Sequence, residues 1–207
     1  MRRSALSETE RERVSAAIRA AEAKTAGEIY VVIAHEADEF RFGPILWAAL
    51  SALLLPWPLH LLTAWSTTTI LLVQAIAFVL VAAALSHPLV RHRVAPPRVA
   101  AEATRKAAEA QFLAHGVHLT EARTGVLIYV ALAHRRVEIV ADDGIDRQVG
   151  QAVWDELAST IAAAARAGRL ADGLVGAVAR AGEVLARYFP AGSENRNELP
   201  DHVVEIA

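Results

Sequence analysis

Residues 42–90 read FGPILWAALSALLLPWPLHLLTAWSTTTILLVQAIAFVLVAAALSHPLV, and this stretch decides how the chain is organised. It contains no Asp, Glu, Lys or Arg, although the 207-residue chain has 21 basic and 23 acidic residues. A charge at the centre of a bilayer costs about 3 kcal/mol, so a stretch without charges is typical of a membrane segment. One membrane helix needs about 20 apolar residues, and this segment is therefore long enough for two.

Prolines and hydroxyl residues divide this segment near its middle, at Pro56, Pro58 and residues 66–69. We therefore predict a transmembrane helical hairpin over 42–90, with spans of about 44–63 and 69–89. The alternative is a buried hairpin inside a large soluble core. The rest of the chain offers little material to cover so much apolar surface, which favours the membrane.

Charges around the hairpin predict its orientation. Arg41 precedes it, Arg91, Arg93 and Arg98 follow it, and the turn carries only His60. Since positive residues concentrate on the cytoplasmic side, we expect both flanks in the cytoplasm of a bacterial-type cell, with the hairpin in the inner (plasma) membrane. The start, MRRSALSETERERV, has no apolar region and does not resemble a secretory signal.

Composition excludes several classes of function. Cysteine is absent, which excludes thiol catalysis, disulfides and cysteine-ligated zinc. The net charge of -2 gives no sign of a polyanion-binding surface, so we expect no nucleic-acid partner. The expected partners are the lipid bilayer and another membrane protein.

The flanks of the hairpin read as one α/β domain. Ser7 and Glu10 form a capping-box pattern that begins a helix. Residues 28–34 and 125–133 are apolar on both faces, so we expect them to pair in one sheet covered by helices. Further predicted elements are a strand at 137–141 and helices at 98–115, 146–165 and 171–188. The domain is then discontinuous, residues 1–41 with 95–190, and residues 191–207 form a polar tail.

Four short segments of these flanks resemble the TPM domain family. They are KTAGEI at 24–29, TGVLI at 124–128 with RVEI at 136–139, DDGI at 142–145, and FP at 189–190 with NELPD at 197–201. The last resembles a bacterial membrane subgroup, here with a transmembrane hairpin inserted in the domain. The resemblance implies an α/β/α sandwich. It does not specify one function, because members have been linked to acid phosphatase activity, photosystem II repair, receptor modulation and divalent-cation binding.

A candidate metal site lies where strand 137–141 ends. Asp142, Asp143 and Asp146 follow that strand, and ligands of α/β folds gather at strand ends. Carboxylates suit a hard cation, so the predicted cofactor is Ca²⁺ or Mg²⁺. Glu28 would join this site if its end of the first strand lies beside the acidic turn. The alternative is an ordinary solvated turn, since Asp-Asp-Gly is common turn chemistry.

The function predicted from the sequence is a membrane-anchored TPM-like domain that acts as a binding or regulatory module and binds a divalent cation. The alternative is a metal-dependent, acid-phosphatase-like hydrolase. No G-x-S-x-G, phosphate-binding loop or zinc-ligand spacing is present, and no catalytic residue is identified. Arg135, Arg136 and Arg147 are the basic residues near the acidic turn in sequence, so whether the protein is an enzyme stays open.

Overall fold

β1 (Glu28–Ala34) is the strand around which the sheet is built. In the computed structural model, which describes residues 4–35, 43–87, 97–120, 123–192 and 198–206, β1 pairs in parallel with β2 (Gly125–Ala131). On its other side it pairs in parallel with β4 (Val204–Ile206), and β3 (Arg136–Ala141) runs antiparallel to β2. The strand order is therefore β3-β2-β1-β4, and the predicted pairing of the first two strands is confirmed.

Helices cover both faces of this sheet. α1 (Glu8–Glu22), α7 (Gln151–Arg166) and α8 (Leu170–Tyr188) pack on the face that carries Ile29, Val31 and Ile33. On the opposite face, Phe112 of α5 (Pro97–Ala114) and Val117 of a 3₁₀ turn (Val117–Leu119) share a second core with Tyr30 and Tyr129. The fold is thus an α/β/α sandwich, as predicted.

Local sequence explains where these elements begin. Ser7 and Glu10 form the expected capping box: the Ser7 amide donates to Glu10 Oε2 at 2.8 Å, and the Glu10 amide donates to Ser7 Oγ at 3.3 Å. All seven positions of β1 and of β2 are buried, because each strand lies between two helical layers.

Three predicted boundaries are wrong. The helix predicted at 146–165 begins only at Gln151, because Asp142 caps a separate short helix, α6 (Asp143–Asp146). The strand predicted at 125–133 ends at Ala131, and residues 132–135 form the turn into β3. The predicted polar tail, 191–207, contains β4, which is too short to recognise without its partner strand.

Residues 38–100 form a second compact unit, distinct from the unit made by residues 1–37 and 101–207. It contains α2 (Gly43–Leu54), α3 (Pro56–Leu62) and α4 (Thr67–Ser86), with α2 packed against α4. Gly43–Leu62 and Thr67–Ser86 are each 20 residues long, with mean hydropathies of 1.7 and 2.4. Both are long and apolar enough to cross a membrane.

Candidate functional site

The sheet places Glu28 and Asp142 at the same end. Glu28 is in register with Gly125, and the Asp142 amide donates to the Gly125 carbonyl at 2.9 Å. We expect Glu28 to join the acidic turn only if both lie at the same end of the sheet, and they do. Across the sheet, however, β2 lies between the two residues, which separates their backbones by about 10 Å.

Gly125, which lies between Glu28 and Asp142 in the sheet, allows the 3₁₀ turn to pack directly on β2. A Cβ built on Gly125 would lie 2.2 Å from the Val117 carbonyl oxygen, a distance that no side chain tolerates. The 3₁₀ turn therefore packs directly on the backbone of β2. Only glycine permits this approach, and the turn fills the space above Gly125.

Asp142 is the buried member of the acidic turn, with 5% of its surface exposed. It is the N-cap of α6: its Oδ1 accepts a hydrogen bond of 2.7 Å from the Asp143 amide. Its Oδ2 is buried and has no hydrogen-bond partner among the residues that the structure describes. A buried carboxylate oxygen without a partner is costly, so this atom is suited to a cation or a donor from a ligand.

Asp143 and Asp146 differ from Asp142 because both are exposed. They lie in the first turn of α6, next to the buried carboxylate. Within the described part of the chain, no three His, Asp or Glu side chains are grouped closely enough to hold a metal ion. The acidic turn therefore has one buried carboxylate, that of Asp142, and two solvent-exposed carboxylates, those of Asp143 and Asp146.

Arg123 is a functional candidate that sequence reasoning missed. Its Nε lies 3.8 Å from Asp142 Oδ1, and its Nη1 donates to the His118 carbonyl at 2.5 Å. Its φ of 55° is unusual for a residue other than glycine. The sequence feature that could have identified Arg123 is its position two residues before β2, which places it at the end of the sheet where β3 ends. By contrast, Arg136 is in register with Ala131 at the opposite end of β3, so Arg135 and Arg136 are remote from the acidic turn.

The Glu28 carboxylate belongs to a second acidic group, which sequence reasoning also missed. Its Oε2 accepts from the Leu199 amide at 3.2 Å, and only 3% of the residue is exposed. Glu22 is also buried, and its Oε1 accepts from the Ile29 amide at 2.8 Å. Burial, with Glu28 and Asp201 nearby, raises the pKa of Glu22 to about 8. Burial likewise raises the pKa of Glu28.

These contacts explain why separate sequence segments come together. Thr124 Oγ1 donates to the Ala26 carbonyl at 2.8 Å, and Thr25 Oγ1 donates to the Phe189 carbonyl at 2.6 Å. The segments KTAGEI, TGVLI, FP and NELPD were recognised one by one in the sequence. In the structure, TGVLI, FP and NELPD each contact KTAGEI near the start of β1.

Comparison with known proteins agrees with this architecture. The BA42 protein from the psychrophilic bacterium Bizionia argentinensis, solved by NMR, superposes with a TM-score of 0.60 and 22% sequence identity. The alignment covers 97% of this chain and 95% of BA42, and it shows a shared fold. No curated protein matches the chain in sequence. Residues 94–184 of this chain match the family model described as the TPM domain.

Proposed function

We propose that this protein is a membrane-anchored TPM domain that acts as a binding or regulatory module and takes a divalent cation at its acidic turn. The observation that supports the cation is the buried Oδ2 of Asp142, which lacks a partner among the described residues. Asp142 would be the main protein ligand. Asp143 and Asp146 are exposed and are not grouped with it closely enough to form a three-carboxylate site as they stand, so water would supply most of the shell. Oxygen donors of this kind suit Ca²⁺ or Mg²⁺.

Glu28 is not needed by this proposal. Its carboxylate accepts from the Leu199 amide, and β2 separates it from Asp142. A cation held by Asp142, Asp143 and Asp146 alone would have few protein ligands. We therefore expect weak binding, in the range where millimolar cation is needed.

A thermal-shift titration of the full chain in detergent tests the cation. Ca²⁺ or Mg²⁺ at tens of millimolar, about tenfold above a millimolar Kd, should raise the Tm of the wild-type protein by a few degrees. Asp142→Asn should abolish that rise and still cap α6, because asparagine is a good N-cap. Asp172→Asn, which changes an exposed carboxylate on α8, is the matched control.

Two results would contradict the cation proposal. One is a wild-type Tm that does not respond to either cation. The other is a rise in Tm that is equally large in Asp142→Asn. In both cases the buried oxygen would have a purely structural role.

A metal-dependent, acid-phosphatase-like hydrolase is the second candidate, and Arg123 is the observation that favours it. Its guanidinium lies beside Asp142, where a cation and an arginine could together hold a phosphate. Hydrolysis of p-nitrophenyl phosphate should then require added cation and fall at least tenfold in Arg123→Ala. If the protein binds the cation but does not hydrolyse p-nitrophenyl phosphate, the result would exclude this enzyme and agree with a binding module.

The hairpin supports the proposal of membrane anchoring. Its apolar side chains are largely exposed within its own unit, for example Trp57 at 71% and Leu62 at 82%. Lipid would cover that surface, and another membrane protein could pack on part of it. Of the four arginines that predict orientation, Arg41, Arg91 and Arg93 lie outside the described residues, and Arg98 is exposed near the start of α5.

A topology reporter tests the orientation. A reporter that is active only in the cytoplasm, fused after Ala207, should be active because the arginines flank the hairpin on one side. A reporter that is active only after export should be silent at the same position. Activity of the exported reporter would show that the α/β domain faces away from the cytoplasm.

A further inference from the structure

A groove runs along the outer edge of the sheet, between β3 and α7, and we name it the edge groove. It has a volume of about 430 Å³, and its lining includes Arg136, Val137, Ile139, Trp154 and Arg166. A neighbouring hollow of about 250 Å³ shares Arg136, Val137 and Arg166 and continues toward Val130 and Leu132. The edge groove therefore extends past the β2–β3 turn, away from Asp142.

The backbone of β3 borders this groove without a strand partner among the described residues, because β3 is the last strand of the sheet. In an antiparallel pair, alternate residues bond to the neighbour and the others direct their amides outward. The Asp142 amide bonds to Gly125 of β2, so Val137 and Ile139 belong to the outward set. An open edge of this kind can accept another extended chain.

Positive charge is concentrated at the end of the groove near the turn. Arg135, Arg136, Arg166 and His134 all line it there. Within the described residues, the exposed guanidinium groups of Arg135 and Arg166 make no hydrogen bond or ion pair. Further along, the groove is lined by Glu138 and Asp155. A polyphosphate is negatively charged along its whole length, so Glu138 and Asp155 would repel it. A peptide can carry acidic side chains only at the positions that lie beside the arginines.

A buried donor also lies in the wall of the groove. Trp154 is 1% exposed, and its Nε1 has no acceptor among the described residues. Indole N–H groups in protein interiors usually have an acceptor. An occupant rich in carbonyl and carboxylate oxygens could supply one.

We propose that the edge groove binds an extended, acidic peptide segment of a partner protein, which adds a strand to the sheet beside β3. The main-chain bonds would come from Val137 and Ile139. The arginines at the turn would select carboxylate side chains, which project from every second residue of an extended peptide. This surface is separate from the acidic turn, so either can exist without the other.

Fluorescence anisotropy with a defined probe tests the selection of charge. The probe is a labelled seven-residue peptide of alternating threonine and valine in which the two valines nearest one end are replaced by glutamate, tested with the glutamates at either end and added to the full chain in detergent. One of these glutamate peptides should bind, and the matched peptides with lysine at the two glutamate positions should not. Arg135→Glu with Arg166→Glu should weaken binding at least tenfold, while Arg19→Glu with Arg180→Glu changes the net charge equally elsewhere and should have little effect. Equal binding of the glutamate and lysine peptides, or no binding of either glutamate peptide at 1 mM, would overturn the proposal.

Hydrogen exchange tests the added strand. The amides of Val137 and Ile139 should exchange at least tenfold more slowly when the glutamate peptide is bound, because they gain acceptors. Exchange of the already paired amides of Glu138 and Val140 should change little, and this gives an internal control. Binding of the peptide without protection of Val137 and Ile139 would show a surface charge contact instead of strand addition.

Discussion

At the scale of single residues, burial separates acids that look alike in the sequence. Asp142, Asp143 and Asp146 form one acidic turn, but only Asp142 is buried, and its buried Oδ2 has no hydrogen-bond partner among the described residues. The turn itself is predictable from the sequence. The unequal burial follows from the register of β3 on β2 and from the position of Arg123, and neither is encoded locally.

Glu22 leads to a prediction about pH. Burial raises its pKa from an ordinary 4.5 to about 8, so the folded protein holds a proton that the unfolded chain releases above about pH 5. The stabilisation from this proton is complete below pH 4.5 and is lost as the pH rises through 8. Glu22→Gln removes the titration and keeps the oxygen that accepts from Ile29. The variant should therefore gain Tm over the wild type as the pH increases from 5 to 9.

Differential scanning at pH 5, 7 and 9 measures this gain. Each pKa unit corresponds to about 1.4 kcal/mol, and each kcal/mol shifts the Tm of a protein this size by about 2–4 °C. Glu12→Gln, a change of an exposed carboxylate on the same helix, should show no such trend. A Tm difference between Glu22→Gln and wild type that is the same at all three pH values would contradict the role of the buried proton.

At the scale of elements, the sheet joins parts of the chain that are far apart in sequence. β1 lies between β2 and β4, and α1 packs against α8. The sequence predicts β1 and β2 well, because runs such as EIYVVIA are apolar on both faces. It does not predict β4, since VEI is three residues long and becomes a strand only beside β1. The late start of α7 is also unpredictable, because α6 and α7 read as one helical pattern.

Deletion of residues 1–35 tests this arrangement. It removes α1 and β1, including Val14, Ile18, Ile29, Val31 and Ile33 from the core, each worth about 1.5–3 kcal/mol. The rest of the α/β unit should lose its resistance to limited proteolysis. Replacement of residues 43–87 by a flexible linker should leave that resistance intact, because the hairpin belongs to the other unit. Full resistance after deletion of 1–35 would show that residues 101–206 fold alone.

At the scale of the whole molecule, the chain combines an α/β unit, which contains most of the segment that matches the TPM domain model, with two apolar helices that lie between the two parts of that unit in sequence. The α/β unit buries its strands between helices, while the hairpin leaves side chains such as Leu46, Leu61 and Leu80 exposed. Exposed apolar surface on this scale is rare in water and ordinary in lipid. The division into two units is predictable from the sequence, because the hairpin contains no charged residues. The ligand of the α/β unit is not predictable in this way, because it depends on contacts between side chains that are far apart in sequence.

Extraction of cell membranes with alkaline carbonate tests whether the hairpin anchors the chain in a membrane. The full chain should stay with the membrane pellet, because the proposed hairpin would bury two apolar spans in hydrocarbon. Leu50→Arg with Leu80→Arg should shift it toward the supernatant or prevent insertion, since each charge at that depth costs about 3 kcal/mol. Arg19→Glu with Arg180→Glu in the α/β unit should leave it in the pellet. Release of the wild-type chain by carbonate would contradict the proposed membrane anchoring.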